Sequence, residues 1–91
     1  MNFAYIGPSV KVGKNCIINN RALIEHDSTI KDHCHISTGA IVNGNVKVGS
    51  GTFIGSGIIL KNGISIGKNC IIGAGSIIKT NIKDNSIIKE N

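Results

Sequence analysis

IGPSVK VGKNCI INNRAL IEHDST IKDHCH ISTGAI VNGNVK VGSGTF IGSGII LKNGIS IGKNCI IGAGSI IKTNIK is the stretch 6–83 written in sixes. Its first column is Ile, Val or Leu in all thirteen units, and Gly follows it in six. The fifth column holds only Ala, Ser, Cys, Thr, Val or Ile. A six-residue period with these preferences is the signature of a parallel β-helix built from hexapeptides. Positions 5, 6 and 1 form a short strand, and positions 2 to 4 turn a corner. Side chains alternate along a strand, so positions 5 and 1 point inward and position 6 outward. Three hexads close one triangular coil, and residue i+18 stacks on residue i at about 4.8 Å.

Working outward from the repeat, the whole chain of 91 residues at 9.5 kDa reads as one domain. The hexads are expected to fill 6–83, with 84–91 as a tail. Ile occurs nineteen times, Gly twelve and Asn eleven, against two Leu and three aromatic residues. β-branched residues and turn-formers in that excess exclude an all-α chain. A narrow prism core explains the shortage of aromatics. No apolar run approaches the length of a membrane span, and "MNFAYIGPSV" lacks the pattern of a secretory signal. The net charge is +5, but the basic residues are scattered and no aromatic platforms separate them. Neither nucleic acid nor membrane is therefore expected as a partner. A mildly basic surface suits a phosphorylated ligand.

The three faces differ at position 6. Face A carries Lys11, Thr29, Lys47, Ser65 and Lys83; face B carries Ile17, His35, Phe53 and Ile71; face C carries Leu23, Ile41, Ile59 and Ile77. Apolar columns of that length should be covered, and face A should be wet. Two covered faces on one prism predict a closed ring of subunits, a homotrimer in which B of one chain meets C of the next. Cys16, Cys34 and Cys70 share position 5 of face B with Thr52. They read as small inward residues, which fits a reducing cytoplasm.

The three histidines fall within ten residues. His26, in "IEHDST", stands at the corner between faces C and A beside Glu25 and Asp27. A carboxylate on one ring nitrogen fixes the tautomer and leaves the other nitrogen as a general base. His35 interrupts the apolar column of face B and needs a polar partner once covered. His33 sits at the A–B corner beside Lys31 and Asp32 and reads as solvated. One side of the prism spans roughly 13–17 Å at about 3.3 Å per residue. His26 and His35 are thus expected to meet only across a subunit interface. Gly44 stacks directly above His26. At the B–C corner, Gly55–Ser56–Gly57 and Gly73–Ala74–Gly75 form a column of small residues that a long thin ligand can approach closely. Gly13, Gly49 and Gly67 read as turn glycines with φ > 0.

The segment "ALIEHDSTIKDHCHISTGAIVNGNVKVGSGTFIGSG" (22–57) resembles the hexapeptide acyltransferases of the sialic-acid O-acetyltransferase (NeuD/PglD-like) family. The resemblance runs from about Ile18 to Thr80 and rests on "IEHD", then "HIS" with histidines nine apart, then "GNVKVG". It implies a left-handed parallel β-helix, a trimer, and acetyl-CoA as donor for a sugar or nucleotide-sugar acceptor. On this resemblance His26 is the general base and Asp27 the acid that supports it. His35 contacts acetyl-CoA, and the Gly44 amide holds the thioester oxygen. Ser56 and Ala74 are placed on the donor by their small column. Family members carry an N-terminal Rossmann-like domain and end in a "GVPAK"-like tail. Here Met1 is followed almost at once by the first coil and the chain ends in "NSIIKEN". The expectation is therefore a minimal or truncated acetyltransferase. Two alternatives are a non-catalytic trimeric scaffold and a zinc hydratase resembling γ-type carbonic anhydrases. The second is disfavoured because His33 and His35, two apart, fall on a corner and a face.

Overall fold

A computed structural model describes residues 3–89. Fourteen two-residue strands make three parallel sheets, one per face. Face C comprises β1 (Tyr5–Ile6), β4 (Leu23–Ile24), β7 (Ile41–Val42), β10 (Ile59–Leu60) and β13 (Ile77–Ile78). Face A comprises β2 (Lys11–Val12), β5 (Thr29–Ile30), β8 (Lys47–Val48) and β11 (Ser65–Ile66). Face B comprises β3 (Ile17–Ile18), β6 (His35–Ile36), β9 (Phe53–Ile54), β12 (Ile71–Ile72) and β14 (Ile87–Ile88). Pairings such as Leu23 with Ile41 and Ile17 with His35 hold the 18-residue register. The fold is thus the all-β parallel β-helix expected from the hexads.

The alternation of side chains is also as expected. Position-1 residues Ile24, Ile30, Ile36, Val42, Val48, Ile54 and Leu60 are buried in a single core, together with position-5 residues such as Ala22, Ala40, Val46 and Ile58. The position-6 residues Ile17, Phe53, Ile71 and Ile77 are exposed, and Leu23, Ile41 and Ile59 are half-buried. Two further apolar residues extend the columns: Tyr5 at the start of face C and Ile87 at the end of face B, the latter 66% exposed. Face A exposes Lys11, Lys47 and Ser65.

Three details differ from the sequence reading. The last coil is shorter by two residues: Ile66 bridges Ile82, and Ile71 pairs Ile87, each sixteen apart. The thirteenth hexad therefore closes after "IKTN", and Lys83 leaves the outward column of face A for the A–B corner. The side chain of Asn81 repairs the seam by accepting the Ser65 N–H at 2.8 Å. Residues 84–89, expected to be tail, continue the coil and supply β14; 90 and 91 lie outside the described residues.

The third difference concerns the corners. Positive φ falls at position 4 of each regular corner, from Ser9 and Asn15 through Asp27, His33 and Gly39 to Gly75. Gly13, Gly49 and Gly67, at position 2, have no such φ. They are small because the coils touch: a Cβ on Gly49 would stand 2.6 Å from the Gly67 carbonyl carbon and the Lys68 nitrogen.

The position-5 residues of face B share one device. Cys16, Cys34 and Thr52 donate to the carbonyls of Lys31, Gly49 and Gly67, fifteen residues on, at 3.0, 3.1 and 2.7 Å. Cys70 donates to Lys83, thirteen on, because of the shortened coil. A hydroxyl and a thiol fill the same role in this column. All three cysteines are free thiols. Burial pushes the Cys34 thiol above its ordinary pKa. The folded state therefore binds this proton more tightly than the unfolded chain. That contribution is intact below the ordinary thiol pKa and is lost as pH rises through the raised value. Denaturant titrations across the alkaline range should show stability falling, and the fall should shrink in Cys34→Ser. An equal fall in both proteins would contradict this account.

Candidate functional site

The corner between faces C and A is built from position-2 to position-4 residues of successive coils. Asp27 takes the left-handed conformation, with φ of 60°, which Asp tolerates better than bulkier residues. This turn brings its carboxylate back to its neighbour: Asp27 Oδ2 lies 3.1 Å from His26 Nδ1. A carboxylate only accepts, so the bond puts the proton on Nδ1 and leaves the Nε2 lone pair free. Both side chains are about half exposed, at 52% and 55%. The main chain here is fixed by the adjacent coils. Asp27 N–H donates to Pro8 O at 3.1 Å, and Asn45 N–H to His26 O at 3.0 Å. Gly44 is buried, with the imidazole lying over its Cα.

On face B, His35 is half-buried and finds the partner its position demands. The Asn19 side-chain amide lies 3.1 Å from His35 Nε2. With that amide nitrogen as donor, Nε2 accepts and Nδ1 carries the proton. Phe53, one coil on, meets the His35 ring edge to face at a centroid distance of 5.0 Å. Phe53 also starts a groove of about 620 Å³ along the B–C corner. Gly55, Ser56, Gly73 and Ala74 form its small-residue wall; Ile71, Ile87 and Ile88 are apolar lining, and Lys89 stands among them.

Within one chain the candidate residues form two separate groups. His26, Asp27 and Gly44 share the C–A corner. His35, Ser56 and Ala74 belong to face B and the B–C corner, and the groove includes none of the first group. His33 joins neither: it is exposed at the A–B corner, 3.5 Å from the Asn15 amide. Among the described residues no group of three or more His, Cys, Asp or Glu gathers as metal ligands. No described helix is long and apolar enough to cross a membrane.

The sequence reading missed Asn19, Phe53 and the upper apolar lining of the groove. Asn19 was detectable in principle, because it stands at the corner just before the coil that carries His35. Ile87 was hidden by the two-residue shortening, which puts it out of the hexad count.

Position-3 backbone amides stand outside the backbone ladder. Those of Lys14 and Lys68 are capped by carboxylates, Asp32 Oδ1 at 2.7 Å and Asp84 Oδ1 at 2.9 Å. Gly44, Ser56 and Ala74 occupy the same position in their own hexads. Among the described residues these three N–H groups have no backbone acceptor.

Comparison with known proteins agrees with the fold. Residues 45–80 match the family model described as bacterial transferase hexapeptide (six repeats). A variant of GDP-perosamine N-acetyl transferase from Caulobacter crescentus, in complex with CoA and GDP-perosamine, is 28% identical with a TM-score of 0.73; the match covers 98% of this chain and 51% of that one. A variant of perosamine N-acetyltransferase from the same organism, again with CoA and GDP-perosamine, superposes with a TM-score of 0.81 at 24% identity, over 98% and 51% of the two chains. The acetyltransferase domain of PglB from Neisseria gonorrhoeae, in complex with acetyl coenzyme A, gives 0.74 at 23% identity, over 99% and 53%. The chain thus spans about half the length of the solved structures it matches. No curated protein matches it by sequence.

Proposed function

From its place among hexapeptide-repeat β-helix proteins, we propose that the chain transfers an acetyl group from acetyl-CoA to an amine or hydroxyl of a sugar or nucleotide-sugar. The observation that carries this reading is the His26–Asp27 pair, with Nδ1 held by the carboxylate and Nε2 free. The Caulobacter relative at 28% identity, bound to CoA and GDP-perosamine, supports the choice of donor and acceptor class.

In this mechanism His26 Nε2 removes the proton from the acceptor N–H or O–H as that atom attacks the thioester carbonyl carbon. Asp27 holds the ring and stabilises the imidazolium. The Gly44 N–H donates a hydrogen bond to the developing oxyanion. Collapse of the tetrahedral intermediate breaks the C–S bond, and the imidazolium returns its proton to the departing thiolate. The donor lies along the B–C groove, where Ser56 and Ala74 N–H groups meet its amides and the apolar lining covers its chain.

The two groups of candidate residues are joined by assembly. A homotrimer that buries the columns of faces B and C sets His26 of one chain opposite His35 of the next. Free thiols and a donor of this kind fit a cytoplasmic protein.

Isothermal titration of the protein with CoA tests the reading. Saturable heat that is lost on replacing Ala74 by a bulky residue is the expected result. No specific heat would leave a non-catalytic trimeric scaffold as the function.

A further inference from the structure

We infer that Gly44 is a positioning residue: its bare Cα is the seat on which the His26 ring rests. A Cβ built at position 44 would come 2.5 Å from His26 Nε2, 2.6 Å from Cε1 and 3.0 Å from Cδ2. All three nearest atoms belong to the imidazole. At Gly49 and Gly55 the nearest atoms are main chain of the next coil. Gly44 also lies outside the left-handed region that would itself require glycine. Neither the turn nor coil stacking therefore demands glycine at this position; the ring does.

The main chain that carries the ring is fixed, and one carboxylate orients the half-exposed ring. Its own residue is tied to the next coil through the Asn45 N–H, and its neighbour to the previous coil through Pro8 O. Asp27 holds Nδ1. A methyl group at 44 meets the Nε2–Cε1 edge, so the ring must rotate, and rotation parts Nδ1 from Asp27. The atom met first is Nε2, the nitrogen that takes the proton in the reaction proposed above. The role of the seat in catalysis rests on that reading; the geometry of the seat does not.

Three proteins test it: Gly44→Ala, His26→Ala and the double variant. Ring-nitrogen NMR should find neutral His26 as the Nδ1–H tautomer in the unmodified protein. In Gly44→Ala it should shift toward the Nε2–H form that free imidazole prefers. The melting temperature of Gly44→Ala should drop by about 5 °C or more, as expected for an overpacked contact. In the His26→Ala background the same methyl should cost nothing, because the atoms it meets are gone. If Gly44→Ala does not fold, a folded double variant still supports the seat. A double variant that loses as much as the single one, or an unchanged tautomer in Gly44→Ala, overturns it. Absence of CoA binding would sink the acetyl-transfer reading and leave these readouts untouched.

Discussion

Acetyl transfer by the His26→Ala protein is expected to fall by about 10²–10⁴-fold, the usual contribution of a general base. His26 stands apart from the groove that would hold the donor. Its loss should therefore lower kcat while leaving the KM for acetyl-CoA nearly unchanged, the pattern of an interaction made in the transition state. Replacement of His35 should behave differently. Its ring packs on Phe53, which lines the groove, so His35→Ala should raise the KM for the donor as well. Steady-state kinetics with both substrates varied separates the two roles. Full activity in His26→Ala would remove the base from the proposal.

Replacing Ile59 by Asp should dissociate the assembly. Ile59 is half-buried at the middle of face C, between Ile41 and Ile77 in the ladder. Burying a side chain of this size contributes about 1.5–3 kcal/mol, and each trimer contains three copies. A carboxylate there would also be buried without a partner. Light scattering should report a trimer for the unmodified protein and monomer for Ile59→Asp. Subunit mixing gives a sharper readout. His26→Ala chains mixed with His35→Ala chains assemble trimers in which one interface of a mixed ring keeps both histidines. Random mixing should restore about a quarter of the sites if each is shared between neighbours. A monomeric mass for the unmodified protein, or no recovery on mixing, would refute the shared site.

The candidate site was partly legible before the fold was seen. "EHD" marks a histidine flanked by carboxylates, and the 18-residue period places Gly44 above it. Spacing cannot say which carboxylate reaches the ring. That is decided by the left-handed turn at Asp27, which returns its side chain to Nδ1. The partner of His35 is legible only through the same stacking of coils. Asn19 is sixteen residues away, and only the stacking of coils makes them neighbours.

The fold itself is almost wholly a property of the sequence. In a hexapeptide prism each residue's environment depends on its phase within six, so a one-dimensional period dictates burial, strand and corner. Ile24 and Val42 are core, and Ile59 and Ile77 face outward, because of where they fall in the count. Tertiary structure decided what phase alone leaves open. The coil after Ile78 loses two residues and re-registers on Ile66, because Asn81 can supply the missing acceptor. Gly49 answers to the backbone of the next coil, whereas Gly44 answers to a single ring. Those outcomes are contacts between atoms one coil apart, and a repeat specifies that such atoms meet without specifying what they do on meeting.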